Sequence, residues 1–219
     1  MAIWIIRHVD YERLGHIPSV LDELKLPYRS ISLSQGDKLP SLDDVGGKDD
    51  ISGVITMGGP MSAYEKPEHG WIGEEEDFLR GVHERQIPLL GICLGAQILA
   101  QAFGAKVHKA SQVEVGWVPL ARVMGPDRQP VRDPILDQIE VIPPLFQFHY
   151  DVFGLPSDAV NLLKSDQTPH QMFRLSPTTY GVQFHPEASD AMLRSVVEQH
   201  KNRLPPATQA AMLQDLETK

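Results

Sequence analysis

The chain has 219 residues, 42% of them hydrophobic and 22% charged, the balance of one ordinary globular domain with at most a small appendage. Its formal net charge is −9, and an acidic surface repels phosphate backbones, so no nucleic-acid partner is expected. The single cysteine excludes an internal disulfide and fits a reducing compartment, which predicts a cytoplasmic location.

The chain opens on Ala2–Ile6 (AIWII), interrupted by Arg7 and His8. That run is too short for a signal peptide and lacks a basic leader. No window elsewhere reaches the roughly 20 apolar residues of a membrane span, so neither export nor a membrane partner is expected. Short apolar runs bounded by Gly or Pro then recur at Tyr28–Leu33, Gly53–Met57 and Pro88–Cys93. Runs without polar alternation are what strands covered on both faces look like. Between them, Trp71–Arg85 has helical spacing. Trp71, Phe78 and Val82 share one face, and Glu74, Glu75, Glu76 and Asp77 lie toward the N-terminal end, where carboxylates suit the helix dipole. Another helix is expected over Gly95–Phe103. This order of strands and helices predicts an α/β fold with an open, mainly parallel central sheet flanked by helices.

The second half changes character. Val113–Val123, Leu145–His149, Asn161–Ser165, Gln171–Leu175 and Thr179–Phe184 are short extended segments without long helices between them. They predict antiparallel strands that continue or flank the first sheet. Prolines at 143, 144, 156, 169, 177 and 186 punctuate the loops. A helix is expected at Ala188–Arg203. Pro205 and Pro206 stop it, and a small terminal helix follows at Ala207–Leu216, with Ala210, Met212, Leu213 and Leu216 partly on one face. The expected organisation is therefore a domain over 1–203 and a helical tail over 204–219.

The string Pro88-Leu-Leu-Gly-Ile-Cys93-Leu-Gly-Ala-Gln97 runs an apolar strand into Gly-x-Cys-x-Gly and then a helical pattern. A nucleophile on a sharp strand-to-helix turn needs small neighbours, because the backbone is strained and adjacent elements crowd it; Gly91 and Gly95 supply the room. A helix N-terminus also favours thiolate over thiol. A lone cysteine can instead fill a core as a small hydrophobe, but glycines at both −2 and +2 behind a buried strand favour the nucleophile. A thiolate attacking a carbonyl needs a proton donor for the leaving group and donors for the oxyanion. Among nine histidines, His185 stands in Gly181-Val-Gln-Phe-His185-Pro-Glu187, where a strand ends and Glu187 can orient and charge-stabilise the imidazole. Met57-Gly58-Gly59-Pro60 follows another strand at the edge where open α/β sheets bind ligands. Its glycines let backbone N–H groups approach a substrate oxygen, pairing Gly59 with Leu94.

Taken in order, Gly58-Gly59-Pro60, Gly91-Ile92-Cys93-Leu94-Gly95-Ala96-Gln97 and His185-Pro186-Glu187 resemble the class I, triad-type glutamine amidotransferases over roughly Ala2 to His200. Each motif alone is modest, whereas the ordered set is specific. Within that family the chain looks most like stand-alone relatives of the GMP-synthase glutaminase domain. The resemblance implies a flavodoxin-like sheet, Cys93 as nucleophile with His185 and Glu187 as its partners, and Gly59 and Leu94 as the oxyanion hole. It further implies Gln97, Gly58, His149 and Tyr150 as substrate contacts, with Ser111–Trp117 and Phe148–Asp151 as substrate-side loops. The substrate would be glutamine or a γ-glutamyl compound.

No phosphate-binding Gly-x-x-x-x-Gly-Lys-Ser/Thr loop occurs, and one cysteine with scattered histidines does not make a zinc set, so neither cofactor nor metal is expected. The segment 204–219 is too short for an ATP-using domain, so no acceptor site is expected in this chain and a synthetase partner is one expected recipient of the ammonia. Two other readings stand beside glutamine hydrolysis. One is a γ-glutamyl peptidase or hydrolase; the other is a non-catalytic, amidotransferase-like binding subunit that works through its acidic surface or Ala207–Leu216. A DJ-1/PfpI-like thiol site would put His directly after the elbow cysteine, where Leu94 stands.

Overall fold

A computed structural model describes residues 1–10, 13–42, 51–202, 204–206, 208–210 and 212. The first half alternates strand and helix: β1 (Ala2–Arg7), α1 (Ile17–Glu23), β2 (Tyr28–Ser32), β3 (Ile51–Thr56), α2 (Trp71–Glu84), β4 (Leu89–Ile92) and α3 (Leu94–Ala102). Strands then dominate, as β5 (Val107–Val118), β6 (Ala121–Arg122), β7 (Leu145–Phe153), β8 (Val160–Lys164), β9 (Met172–Ser176) and β10 (Thr179–Val182), before α4 (Asp190–His200). Eight strands form the central sheet in the order β2-β1-β3-β4-β10-β9-β8-β6. The first five in that order run parallel and the last three continue antiparallel. β5 and β7 form a separate antiparallel pair. The mixed, mainly parallel α/β architecture is the one expected, with the antiparallel strands both continuing and flanking the sheet.

Successive strand residues point to opposite faces, and the core divides accordingly. Trp4, Ile6, Val54 and Leu89 join one apolar cluster with Ile72, Leu79, Ile98 and Leu99 of α2 and α3. Ile5, Ile55, Leu90 and Ile92 join another that includes Leu21 of α1. Burial on both faces explains why these strands read as unbroken apolar runs. Gly181 of β10 has no alternative residue, since a Cβ there would lie 2.3 Å from the Phe173 ring on β9.

Several boundaries move for physical reasons. The single segment expected at Val113–Val123 is two strands in different sheets, divided at Pro119, which has no N–H for a ladder; β5 also begins earlier, at Val107. Ser111–Trp117 therefore lies in a strand rather than in a loop, and so does Phe148–Asp151 of β7. The seven-residue α1, with Pro near its start, is too short to show a helical period and was not expected. The last helix is shorter than the expected 188–203: α4 starts after Ser189, whose hydroxyl accepts from the Met192 amide at 3.3 Å and caps it. Arg203, and all of Ala207–Leu216 except 208–210 and 212, lie outside the described residues. Leu204 and Met212 belong to a buried cluster with Phe146, Leu193 and Val197. Among the described residues no helix is long and apolar enough to cross a membrane.

Candidate active site

The C-terminal ends of β1, β3, β4 and β10 meet at one edge of the sheet, and the chain leaving each end contributes to one cavity of about 100 Å³. After β4 the chain turns through Cys93, whose φ of 51° and ψ of −106° are unusual for a residue other than glycine. The turn is possible because both neighbouring glycines are spaces. A Cβ on Gly91 would lie 2.8 Å from the Ala96 nitrogen, and one on Gly95 would lie 2.3 Å from the Thr56 carbonyl oxygen. The Gly95 amide donates to the Met57 carbonyl at 2.9 Å and the Cys93 amide to that of Val182 at 2.8 Å. These bonds hold the elbow between β3 and β10.

Cys93 is buried but borders the cavity together with His185. Gln183 Nε2 donates to its Sγ at 3.6 Å, and the Phe148 carbonyl oxygen is 3.9 Å from the sulfur. His185 Nδ1 lies 2.8 Å from Glu187 Oε1; a carboxylate accepts, so Nδ1 carries the proton. The same imidazole borders the cavity with Cys93, close enough for the sulfur to bear on its protonation. Burial alone would push the His185 pKa down. The charges of Glu187 and Cys93, with the hydrogen bond to Glu187, overcome it and hold the imidazole well above its ordinary range. The arrangement favours the imidazolium form of His185.

Two backbone N–H groups near the elbow lack acceptors among the described residues. Leu94 is the first residue of α3, where helix N–H groups lack intrahelical acceptors; Gly59 lines the cavity. A Cβ on Gly59 would come within 2.6 Å of Leu94 Cδ2, so only glycine lets this turn pack against the start of α3. Gln97, His149 and Tyr150 also line the cavity. Gln97 Nε2 donates to the Asp151 carbonyl at 3.1 Å and to Gln183 Oε1 at 3.2 Å. His149 is buried, with Nε2 3.1 Å from Glu114 Oε2, whereas Tyr150 is 45% exposed. Leu94, Glu187 and Gly58 stand behind the cavity wall, and the Gly58 carbonyl points to His8 at 2.8 Å.

Asp151, the end of the expected Phe148–Asp151 string, lines the cavity and accepts from Ser62 and Tyr64. Three other features escaped sequence reasoning. Gln183 reaches the sulfur from the bend that follows β10. Arg13 brings a positive charge to the same cavity. Glu75 and Glu76, read from sequence as carboxylates placed for the helix dipole, are buried: Glu75 engages His8 and Thr56, and Glu76 engages Lys66 and Gln101. Their available signal was position in the helix, since Glu75 and Glu76 fall on the turn that also buries Ile72 and Phe78. Among the described residues no group of three or more His, Cys, Asp or Glu side chains is placed to hold a metal.

The family model for glutamine amidotransferase class-I matches residues 30–199. The chain belongs to that family. It is similar to the glutamine-hydrolysing GMP synthase of Thermosipho melanesiensis, at 31% identity over 151 residues that cover 66% of this chain and 26% of that protein. It is also similar to a Pyrococcus abyssi protein named as one of the subunits of a glutamine-hydrolysing GMP synthase, at 30% identity over 145 residues, 63% of this chain and 67% of that one. The matched stretch thus spans about a quarter of the larger GMP synthases. A glutamine amidotransferase of Thermotoga maritima superposes with a TM-score of 0.86 at 27% identity, covering 100% of this chain and 90% of that one. This class I amidotransferase carries the family's α/β sheet, and its cavity lies at the sheet edge where open α/β folds bind ligands.

Proposed function

We propose that this amidotransferase hydrolyses the side-chain amide of glutamine through a γ-glutamyl thioester on Cys93. The observation that carries the reading is that Cys93, His185 and Gly59 border one cavity, with Glu187 hydrogen-bonded to His185 behind it and the Leu94 N–H opening α3 next to Cys93. The Cys93 thiolate attacks the amide carbon, and the displaced carbonyl electrons form an oxyanion that the Gly59 and Leu94 N–H groups hold. Collapse breaks the C–N bond while the His185 imidazolium delivers its proton, so ammonia departs. Neutral His185 then takes a proton from water, whose oxygen attacks the thioester. Expulsion of the thiolate releases glutamate. Glu187 fixes the tautomer and orientation of the imidazole through both halves.

The acceptor of the ammonia would sit on a separate synthetase chain, a reading supported by the likeness to a protein named as one part of a divided GMP synthase. The test is ammonia and glutamate release by the purified protein from free glutamine and, separately, from γ-glutamyl dipeptides, for wild type and Cys93→Ala. Release from glutamine by wild type and its loss in the variant are expected. Wild-type turnover retained in Cys93→Ala overturns the nucleophile, and cleavage confined to γ-glutamyl dipeptides moves the assignment to a peptidase.

A further inference from the structure

Beneath the Gly58–Gly59 turn lies a buried polar cluster that the reaction just described does not use. His8 follows directly on β1 and is fully buried, stacked on Trp71 with ring centroids 5.1 Å apart and planes 16° from parallel. Its Nδ1 lies 2.8 Å from the Gly58 carbonyl oxygen, and its Nε2 lies 3.0 Å from Glu75 Oε2. Glu75, also fully buried, accepts from the Thr56 hydroxyl through its other oxygen. A carbonyl can only accept, so Nδ1 carries a proton, and the Nε2–Oε2 contact carries another whichever atom it sits on. Either way the imidazole keeps the Nδ1 proton that grips Gly58. Burying a carboxylate and an imidazole together is costly unless each is fully bonded.

The peptide between Gly58 and Gly59 is trans, like every other among the described residues. Its C=O and N–H therefore point in opposite directions. Holding the carbonyl toward His8 turns the Gly59 N–H away from His8, and Gly59 is the residue of this turn that borders the cavity with Cys93. A Cβ on Gly59 would lie 3.1 Å from His8 Cβ and 3.5 Å from its Cγ, so the turn packs closely against His8. Two flanking glycines leave the peptide unit otherwise easy to rotate. We infer that His8, anchored by Glu75, is a positioning residue for the oxyanion hole: it locks the Gly58–Gly59 peptide with the Gly59 N–H aimed at the developing oxyanion.

The inference rests on the hydrolytic reading above. Its test uses amide geometry: the nitrogen of an Asn amide can occupy the place of imidazole Nδ1, whereas that of Gln falls nearer Nε2. In steady-state glutamine hydrolysis, His8→Gln should lower kcat by about 30- to 100-fold, the scale of losing one oxyanion donor, with KM nearly fixed. His8→Asn should recover most of that loss. Alkylation of Cys93 by iodoacetamide forms no oxyanion, so His8→Gln should alkylate at the wild-type rate, a result that also reports an intact fold. If His8→Gln does not fold, Glu75→Met against Glu75→Gln gives the same comparison, with about a tenfold loss of kcat expected only for Met. Equal kcat losses in the two His8 variants, a parallel loss of alkylation, or wild-type kcat in His8→Gln would overturn the positioning role while leaving the hydrolytic reading standing. No turnover of glutamine or γ-glutamyl dipeptides by wild type would remove both.

Discussion

The His16 amide donates to the Glu187 carbonyl at 2.8 Å, so the loop after β1 is tied to the residue that orients the proposed general base at the far end of the sequence. Gly15 makes the approach possible: its φ is 55°, and a Cβ there would stand 1.8 Å from the Glu187 carbonyl oxygen. Gly15→Ala should combine left-handed strain with a backbone clash, lowering stability by about 2–4 kcal/mol and kcat by at least about tenfold as Glu187 shifts. Gly36 has a φ of 84° with nothing near its would-be Cβ, so Gly36→Ala should cost only about 1 kcal/mol and leave kcat alone. Urea titration and ammonia release on the two variants check the contrast; similar behaviour of both would show that the Glu187 contact is immaterial.

His185 provides a pH test. Burial pulls its pKa down, but Glu187 and Cys93 hold it well above the ordinary value. A raised folded pKa means that protonation favours the native state. This contribution is complete below the unfolded value of about 6.5 and is lost as pH rises through the folded value. In Glu187→Gln the largest opposing charge is gone, burial prevails, and the imidazole should titrate at lower pH in an NMR titration. The stability advantage of wild type over Glu187→Gln should accordingly be greatest below about pH 6.5 and shrink toward alkaline pH. A pH-independent difference between the two would show that the imidazolium does not depend on Glu187.

The elbow separates chemistry from stability. Cys93 holds a φ of 51°, a conformation in which Ala is strained and Gly is not. Cys93→Ala and Cys93→Gly both lack the sulfur and should both be inactive. Cys93→Gly should nevertheless be the more stable of the two by about 1 kcal/mol, the reverse of the usual order, because it alone relieves the turn. Thermal melts of the two variants decide the point, and greater stability of the Ala variant would mean that the turn stores no strain.

Legibility from sequence followed the range of each interaction. The parallel strands were readable because burial on both faces leaves local apolar runs, and the Cys93 elbow because Gly91 and Gly95 stand two residues away on either side. The break between β5 and β6 was carried by Pro119 alone, and the seven residues of α1 are too few to express a helical period. His8 meets Glu75 across 67 positions and Gln183 meets Cys93 across 90. Such partners carry no local signature, because only the sheet order brings the strand ends together. Likewise, the Ser111–Trp117 string, expected as a substrate-side loop, contributes no residue to the cavity lining and gave no sign that Glu114 turns inward.

That inward carboxylate carries the last prediction. Glu114 Oε2 accepts from Thr168 Oγ1 at 2.6 Å and from Gln171 Nε2 at 2.8 Å and lies 3.1 Å from His149 Nε2, while Oε1 accepts from Ser165 Oγ at 2.7 Å. Burial raises its pKa, but the hydrogen bonds from His149, Ser165 and Thr168 and the His149 charge outweigh burial and leave it lowered. A depressed folded pKa contributes stability that is complete above the unfolded value of about 4.3 and is lost as pH falls through the folded one. Glu114→Gln keeps the shape and removes the titration. It should cost about 1–3 kcal/mol at neutral pH, and the gap from wild type should close as pH falls below about 4. Because His149 lines the cavity from β7 and hangs on this carboxylate, Glu114→Leu should cost more and also raise KM for glutamine. Urea titrations between acid and neutral pH, read beside KM, separate these outcomes: a gap that widens in acid would reverse the sign of the Glu114 contribution, and an unchanged KM in Glu114→Leu would place His149 outside substrate binding.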